Sequence, residues 1–457
     1  MFDKPGTNSE FNESDFAKRA NTATGDIPRT QILISPRIGY EGSIAEGLKL
    51  HASAGIYTGR SPFVWLSNCY QNNGLRSVSV TNNTNPPALQ INSASTEGKQ
   101  SNPSIDIVDK NFHYPKVFRQ AIALDYKHKG LKLGLDADFT KGINNIYVEN
   151  LVAEDKGSKL FMGGDGSSAS TTYYNSTRNP YSAVYRLSNT DEGYSWSTTA
   201  RMEYDFAGAL QGLRFTAAYT YSQSKSVNDG VSAQSSSNFS RTYAVDSNNP
   251  VLSNSVYEFP HKVVASLSYD RRYGNYGTNV MLLYNGHSGE HYSLTYYNGF
   301  DVNGDTAKGN TLIYIPTEAE MKSMLWADES SMASFNNYIK GDEYLNSHRG
   351  KFAERNSHSL PFVHRLDLHV AQSFYLDKSS QRRVELTCDV INLANLLSRS
   401  WGMVYRISNW ALNPLSVTKL EEIDGGYRPV YKFTESNYTT DDVLSRWRMQ
   451  IGVRVVF

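Results

Sequence analysis

Trp447-Arg448-Met449-Gln450-Ile451-Gly452-Val453-Arg454-Val455-Val456-Phe457 closes the chain, and its alternation decides the fold. Trp447, Met449, Ile451, Val453, Val455 and Phe457 fall on one face of an extended segment. Arg448, Gln450, Gly452 and Arg454 fall on the other, with Val456 the single exception. Successive side chains of a strand point to opposite faces, so this run predicts a strand that is wet on one side only. Its length matches the ~9–11 residues with which a tilted strand crosses a bilayer.

Working backward, the same pattern recurs. Val384, Leu386, Cys388 and Val390 oppose Arg383, Glu385, Thr387 and Asp389; Leu213, Phe215, Ala217, Tyr219 and Tyr221 alternate with Arg214, Thr216, Ala218 and Thr220. Trp196, Ala200, Met202, Tyr204 and Phe206 oppose Arg201, Glu203 and Asp205, and Leu131, Leu133, Leu135, Ala137 and Phe139 alternate with Lys132, Gly134, Asp136 and Asp138. Polar faces carrying several charges suit a water-filled or plugged lumen. In a β-sandwich only the solvent side would accept them.

The alternation places strands near 446–457, 427–434, 414–421, 382–394, 362–376, 277–290, 259–271, 213–225, 181–206, 131–150, 116–128, 48–57 and 31–41. Short gaps (423–426, 377–381, 272–276, 207–212, 129–130, 42–47) alternate with long ones: 291–361, 226–258, 151–180 and 58–115, and more modest ones at 395–413 and 435–445. Tight turns on one rim and long loops on the other are the asymmetry of outer-membrane barrels, with the short turns periplasmic. The expected fold is therefore all-β: part of an antiparallel transmembrane barrel of the outer-membrane type, about thirteen strands. An odd count puts the start of the first strand outside the cell, so 1–30 is expected to be the tail of an extracellular loop and 31–457 the barrel portion. The opening Met-Phe-Asp-Lys-Pro-Gly shows no signal peptide, and further strands are expected upstream.

Composition narrows the alternatives. With 45 basic and 45 acidic residues the net charge is zero, and no basic stripe invites nucleic acid. Mean hydropathy is −0.50, and no apolar run approaches the ~18 residues of a membrane helix. A barrel escapes that objection because every second residue faces a polar lumen, and 31 Tyr and 19 Phe can supply interfacial girdles. Cys69 and Cys388 lie far apart without zinc-type spacing, and Cys388, on an apolar row, reads as a small hydrophobe.

Several stretches, in order along nearly the whole chain, resemble the C-terminal barrel of TonB-dependent outer-membrane receptors, in particular the Oar-like group of Bacteroidetes. They include Ser35-Pro36-Arg37-Ile38-Gly39-Tyr40, Gly55-Ile56-Tyr57-Thr58-Gly59-Arg60-Ser61-Pro62-Phe63-Val64-Trp65-Leu66-Ser67-Asn68 and Ala218-Tyr219-Thr220-Tyr221. Ser224-Lys225-Ser226-Val227-Asn228-Asp229-Gly230, Tyr284-Asn285-Gly286-His287-Ser288-Gly289, Asp301-Val302-Asn303-Gly304-Asp305, Arg349-Gly350-Lys351 and Glu354-Arg355-Asn356 continue the series. Asp389-Val390-Ile391-Asn392-Leu393-Ala394-Asn395-Leu396-Leu397, Trp401-Gly402 and the terminal Phe457 complete it. The resemblance implies a barrel of about 22 strands around a plug. It also implies uptake of a bulky ligand (peptide, glycan or chelate) coupled to TonB through a plug region absent from this chain. Outer-membrane lipid and the barrel-assembly machinery are implied partners, with Trp447 and Phe457 as the assembly signal. A passive pore complete in itself, or a surface adhesion or structural protein using its long loops, are the competing readings.

Candidate contact residues are aromatic and polar side chains in the long loops: Arg60, Phe63, Trp65, Asn68 and Tyr70 after one strand, and Tyr292, Tyr296, Tyr297 and Phe300 after another. Aromatics beside Asn and Gln suit peptides or sugars, though loop packing would use the same residues. Asp301, Asn303 and Asp305 carry oxygens that calcium accepts, yet glycine stands at the fourth position and Thr306 at the sixth, so a polar turn is the preferred reading. His287 and His291 share a strand face but stand ~13 Å apart, too far for one zinc. No nucleophile elbow or phosphate-binding loop appears, so no enzyme activity and no cofactor are expected.

Overall fold

The computed structural model describes residues 6–60, 63–74, 78–79, 99–100, 103–164, 169–176, 181–297, 299–378 and 381–457. Eleven strands form an antiparallel meander in sequence order. They are β1 (Arg37–Ala45), β2 (Leu48–Thr58), β3 (Lys116–His128), β4 (Leu131–Gly142), β5 (Tyr194–Asp205), β6 (Leu213–Ser226), β7 (His261–Tyr273), β8 (Tyr276–His287), β9 (Val363–Tyr375), β10 (Arg383–Ile391) and β11 (Arg448–Val456). A two-residue strand, Ser253–Asn254, pairs beside β6 and makes the sheet twelve-stranded. Short turns join β1–β2, β3–β4, β5–β6, β7–β8 and β9–β10 on one rim, and every connection on the other rim is long.

Registers tie the alternating rows of single strands into one continuous face. Tyr40, Ala52, Ile122, Ala137, Thr198, Tyr221 and His261 stand side by side from β1 to β7. Leu267, Leu282, Leu368, Val390 and Met449 continue the same face to β11. Many of these side chains are open: Ile122 is 50 % exposed, Leu135 48 % and Leu386 46 %. A contiguous apolar surface of this extent is foreign to monomeric proteins in water and marks contact with a membrane or a partner. Trp196, Tyr219, Tyr221 and Tyr284 band it toward the long connections, and Tyr204, Tyr269, Tyr273, Tyr276 and Phe374 toward the short turns.

The opposite face is polar and internally paired. Arg201 bridges Asp125 at 2.5 Å and Asp136 at 2.8 Å, Lys132 meets Glu203 at 2.6 Å, and His369 meets Asp389 at 2.6 Å. Half-exposed pairs of this kind contribute little stability each. Their effect is to let many charges share one face without net repulsion.

Two expected strands belong elsewhere. The segments 414–421 and 427–434 are extended, but they form the hairpin Ala411–Ile423 with Gly426–Phe433, inside a separate seven-stranded sheet. Leu415, Val417, Val430 and Tyr431 are buried there. Pro414 and Pro429 interrupt the two segments, and proline is confined to edges and bulges of sheets because it cannot donate to the ladder. The gap 423–426 is thus a hairpin tip, and a single long connection runs from β10 to β11. The expected strands 131–150 and 181–206 likewise divide: each feeds one wall strand and one strand of a smaller sheet, Asn145–Asn150 and Ala183–Thr190. Losing two strands preserves the odd count. β1 and β11 each pair on one side only among the described residues, and the wall stays open.

The long connections build a second layer, a cap. Its seven-stranded sheet draws strands from three connections, and three of its pairings are parallel. Tyr296, Tyr314, Tyr431 and Phe335 are fully buried in its core, each burial stabilising by roughly 1.5–3 kcal/mol. A smaller core gathers Phe11 and Ala17, from helices α1 (Ser9–Glu13) and α2 (Asp15–Arg19), with Ile105, Ile107 and Val184.

Candidate functional site

Helix α3 (Phe63–Gln71) carries most of the first candidate group, in the connection after β2. Its Trp65 indole Nε1 donates to the Ser232 carbonyl at 2.7 Å, and Asn68 Nδ2 donates to the Ala233 carbonyl at 2.9 Å. Both side chains pin α3 to the connection after β6. Gly230 makes the fit possible: its φ is +62°, and a Cβ there would stand 2.9 Å from the Trp65 ring. Tyr70 is half-buried, Arg60 is exposed, and the Phe63 side chain lies outside the described residues. Cys69 is a buried free thiol, its pKa pushed up by burial, and Cys388 is free on the apolar row beside Ile451.

The second group enters the cap core. Tyr296 is fully buried, and its hydroxyl accepts from the Tyr314 backbone N–H at 3.0 Å. Tyr292 is 8 % exposed and packs on the His358 ring. Phe300 leans on the same core, and Tyr297 alone stands open, at 55 %. Of the eight candidates whose side chains are described, Arg60 and Tyr297 are the ones the geometry offers freely to solvent.

The acidic run closes on itself. Asp305, fully buried, accepts from Ala307 N and Asn310 Nδ2, both at 2.8 Å, and burial raises its pKa. Asp301 accepts from Thr306 N at 3.0 Å, and Asn303 accepts from Asp305 N at 3.4 Å. Asn150 reaches across from another connection to the Asp305 carbonyl and the Thr306 hydroxyl. Among the described residues, no group of three His, Cys, Asp or Glu side chains is placed to hold a metal ion. His287 bonds its neighbour's carbonyl, whereas His291 is buried 3.6 Å from Glu258.

Several linking residues escaped sequence reasoning. Arg355, 3 % exposed, donates to the backbone carbonyls of Val227 and Ser226. Asn356, at φ +56°, donates to the Asn254 carbonyl and exchanges hydrogen bonds with Ser293. Asp106, held by Asn72, is pushed up to about 6 by burial. A loop arginine followed by asparagine is a faint signal, since nothing local says that either will be buried. On the polar face of the wall, Lys49, Asp125, Lys127, Lys132, Arg201 and Glu203 surround a recess of about 600 Å³.

No family model and no curated protein matches the chain. Among solved structures it is similar to the ferric enterobactin receptor of Pseudomonas aeruginosa (10% identity, TM-score 0.41, 92% of this chain and 40% of that one). It is also similar to the siderophore receptor PirA of Acinetobacter baumannii (10%, 0.36, 79% and 37%). A third is the ferric preacinetobactin receptor BauA of that organism (11%, 0.35, 87% and 35%). The chain spans about two fifths of the length of these receptors or less, and likeness at this level leaves its function to be read from its own residues.

Proposed function

We propose that this chain is barrel wall and extracellular cap of a TonB-dependent receptor in the bacterial outer membrane, importing a bulky ligand that first meets the cap. One observation carries the reading: eleven strands share a continuous, predominantly apolar face between two aromatic bands, while the other face holds paired charges. Such a face is stable where lipid covers it. The segregation of long connections to one rim supports an orientation with the cap outside the cell. The motifs resembling TonB-dependent receptors support coupled import, with further strands and a plug completing the wall. The edges of β1 and β11, unpaired among the described residues, weigh against a self-contained passive pore, because each unpaired backbone group in hydrocarbon costs several kcal/mol. Direct closure of β1 on β11 would pair them parallel, unlike the rest of the wall.

Cysteine labelling of intact cells expressing the protein tests the orientation. A membrane-impermeant maleimide should reach single cysteines at Gly157 and Tyr297 in the cap, and should miss one at Gly274 in a short turn until the cells are opened. Labelling at Gly274 alone in intact cells would overturn the reading.

A further inference from the structure

The outward apolar face holds very few formal charges. Its registers put Lys116, Lys141 and Lys225 at the long-connection rim and one further cation, Arg271, near the short turns. Arg271 is the anomaly. Its neighbour Arg272 turns to the polar face, where its guanidinium stacks 3.6 Å over Tyr375 and donates to the Asp377 and Lys378 carbonyls. Arg271 points the other way. Its guanidinium sits 4.8 Å from the Tyr273 ring, and the hydroxyls of Tyr269 and Tyr273 are hydrogen-bonded to each other alongside.

No carboxylate among the described residues forms an ion pair with Arg271; the nearest in sequence, Asp270, lies on the opposite face and accepts from Asn279. Across the ladder Arg271 faces Thr278, and Thr278 faces Gln372. Thr278 donates to Gln372 Oε1 at 2.8 Å, and Gln372 donates to the Gly277 carbonyl at 3.1 Å. These two residues satisfy each other; the guanidinium hydrogen-bonds the Tyr269 hydroxyl and supplies the remaining donors of a polar spot framed by Tyr269, Tyr273, Tyr276 and Phe374.

We propose that Arg271 binds the phosphate of a membrane phospholipid in the leaflet at the short-turn rim. The inference rests on the membrane reading above. Arg271 stands two to three residues from the turn, roughly 7–10 Å along the strand, at the level where interfacial aromatics meet headgroups. A planar guanidinium matches a phosphate bidentately, and that pairing is among the stronger charge-assisted contacts. A lipid fits better than a free anion because the outward row continues from Arg271 through Tyr269, Val280, Leu267 and Leu282, a track for acyl chains that a free phosphate cannot use.

Native mass spectrometry of the full chain, purified in detergent with dioleoyl phosphatidylglycerol or dioleoylglycerol, tests the proposal. The phospholipid should stay bound, about tenfold more weakly in Arg271→Gln, while Arg271→Lys, which keeps the charge but not the bidentate fork, binds at an intermediate strength and Lys141→Gln retains all of the affinity. Millimolar inorganic phosphate should not displace it. Equal retention by Arg271→Gln, equal retention of dioleoylglycerol, or displacement by inorganic phosphate would overturn the assignment. Flotation with phosphatidylglycerol vesicles separates the two readings. A chain that floats without phosphate dependence sinks this site alone, and a chain that fails to float sinks the membrane reading with it.

Discussion

The wall and the cap use apolar side chains in opposite ways. In the wall, Leu135, Leu386 and Ile451 point away from the protein and remain exposed, and backbone pairing with the polar-face charges does the organising. In the cap, Tyr296, Tyr431 and Phe335 vanish into a core, and buried polar side chains such as Arg355, Asn356 and Asp305 tie one connection to the next. One region is stable only where something apolar covers it from outside. The other supplies its own cover, as a soluble domain does.

That contrast can be broken by matched substitutions. The largest effect is expected in the cap: Tyr431→Ala removes a fully buried ring packed on Tyr296 and Trp326, and should destabilise the cap by about 3–5 kcal/mol. Leu386→Ala, on the exposed row of β10, should cost under about 1 kcal/mol by the same chemical denaturation in detergent, because little protein packing is lost. Comparable losses at the two positions would erase the distinction. Next comes Leu368→Arg, midway along the outward row of β9, expected to cost about 2–4 kcal/mol in a bilayer. In the cap the same class of change acts through lost packing, with or without lipid.

A pH effect sharpens the cap side. Burial raises Asp106 to about 6, above its ordinary 3.8, so the folded state prefers the protonated acid. The resulting cost is present in full above about pH 6 and is relieved as pH falls from there toward 4. Asp106→Asn should therefore stabilise the cap at pH 8, by about 1–3 kcal/mol in chemical denaturation, and leave its stability little changed at pH 4. His358 runs the other way: burial lowers its pKa, so stability is full above the ordinary 6.5 and declines as pH falls below it. The cap's acid response is then the difference of two opposed groups, and His358→Gln should remove the declining part. A smaller cap effect is expected at Gly230, where Ala must adopt a positive φ and meet the Trp65 ring, a cost of about 1–2 kcal/mol measurable by thermal unfolding.

The same contrast explains what the sequence reveals. Wall strands announce themselves because one face is uniformly apolar and the other uniformly polar, a period-two signal visible in Leu131–Phe139 or Trp447–Phe457 without any partner. The cap is written in single residues scattered over hundreds of positions. Tyr431 meets Trp326 and Met162, which no local pattern can join. The hairpin 411–433 looks like wall because it too is extended, and the warning sits in Pro414 and Pro429. Candidate contact residues suffered the same confusion. Aromatics in long connections suit ligand contact and core packing equally, and Tyr292 and Tyr296 went to the core while Tyr297 remained outside.

The central claim is that the face of Leu366, Leu368 and Val370 meets lipid while that of Arg365, Asp367 and His369 meets water. Nitroxide labels placed one at a time at these six positions of β9, on a Cys69→Ala, Cys388→Val background in phosphatidylglycerol bilayers, measure it directly. Collision with oxygen should peak at 366, 368 and 370, and collision with a water-soluble nickel chelate at 365, 367 and 369. Two profiles rising and falling together along the strand, or the reversed phase, would contradict the account.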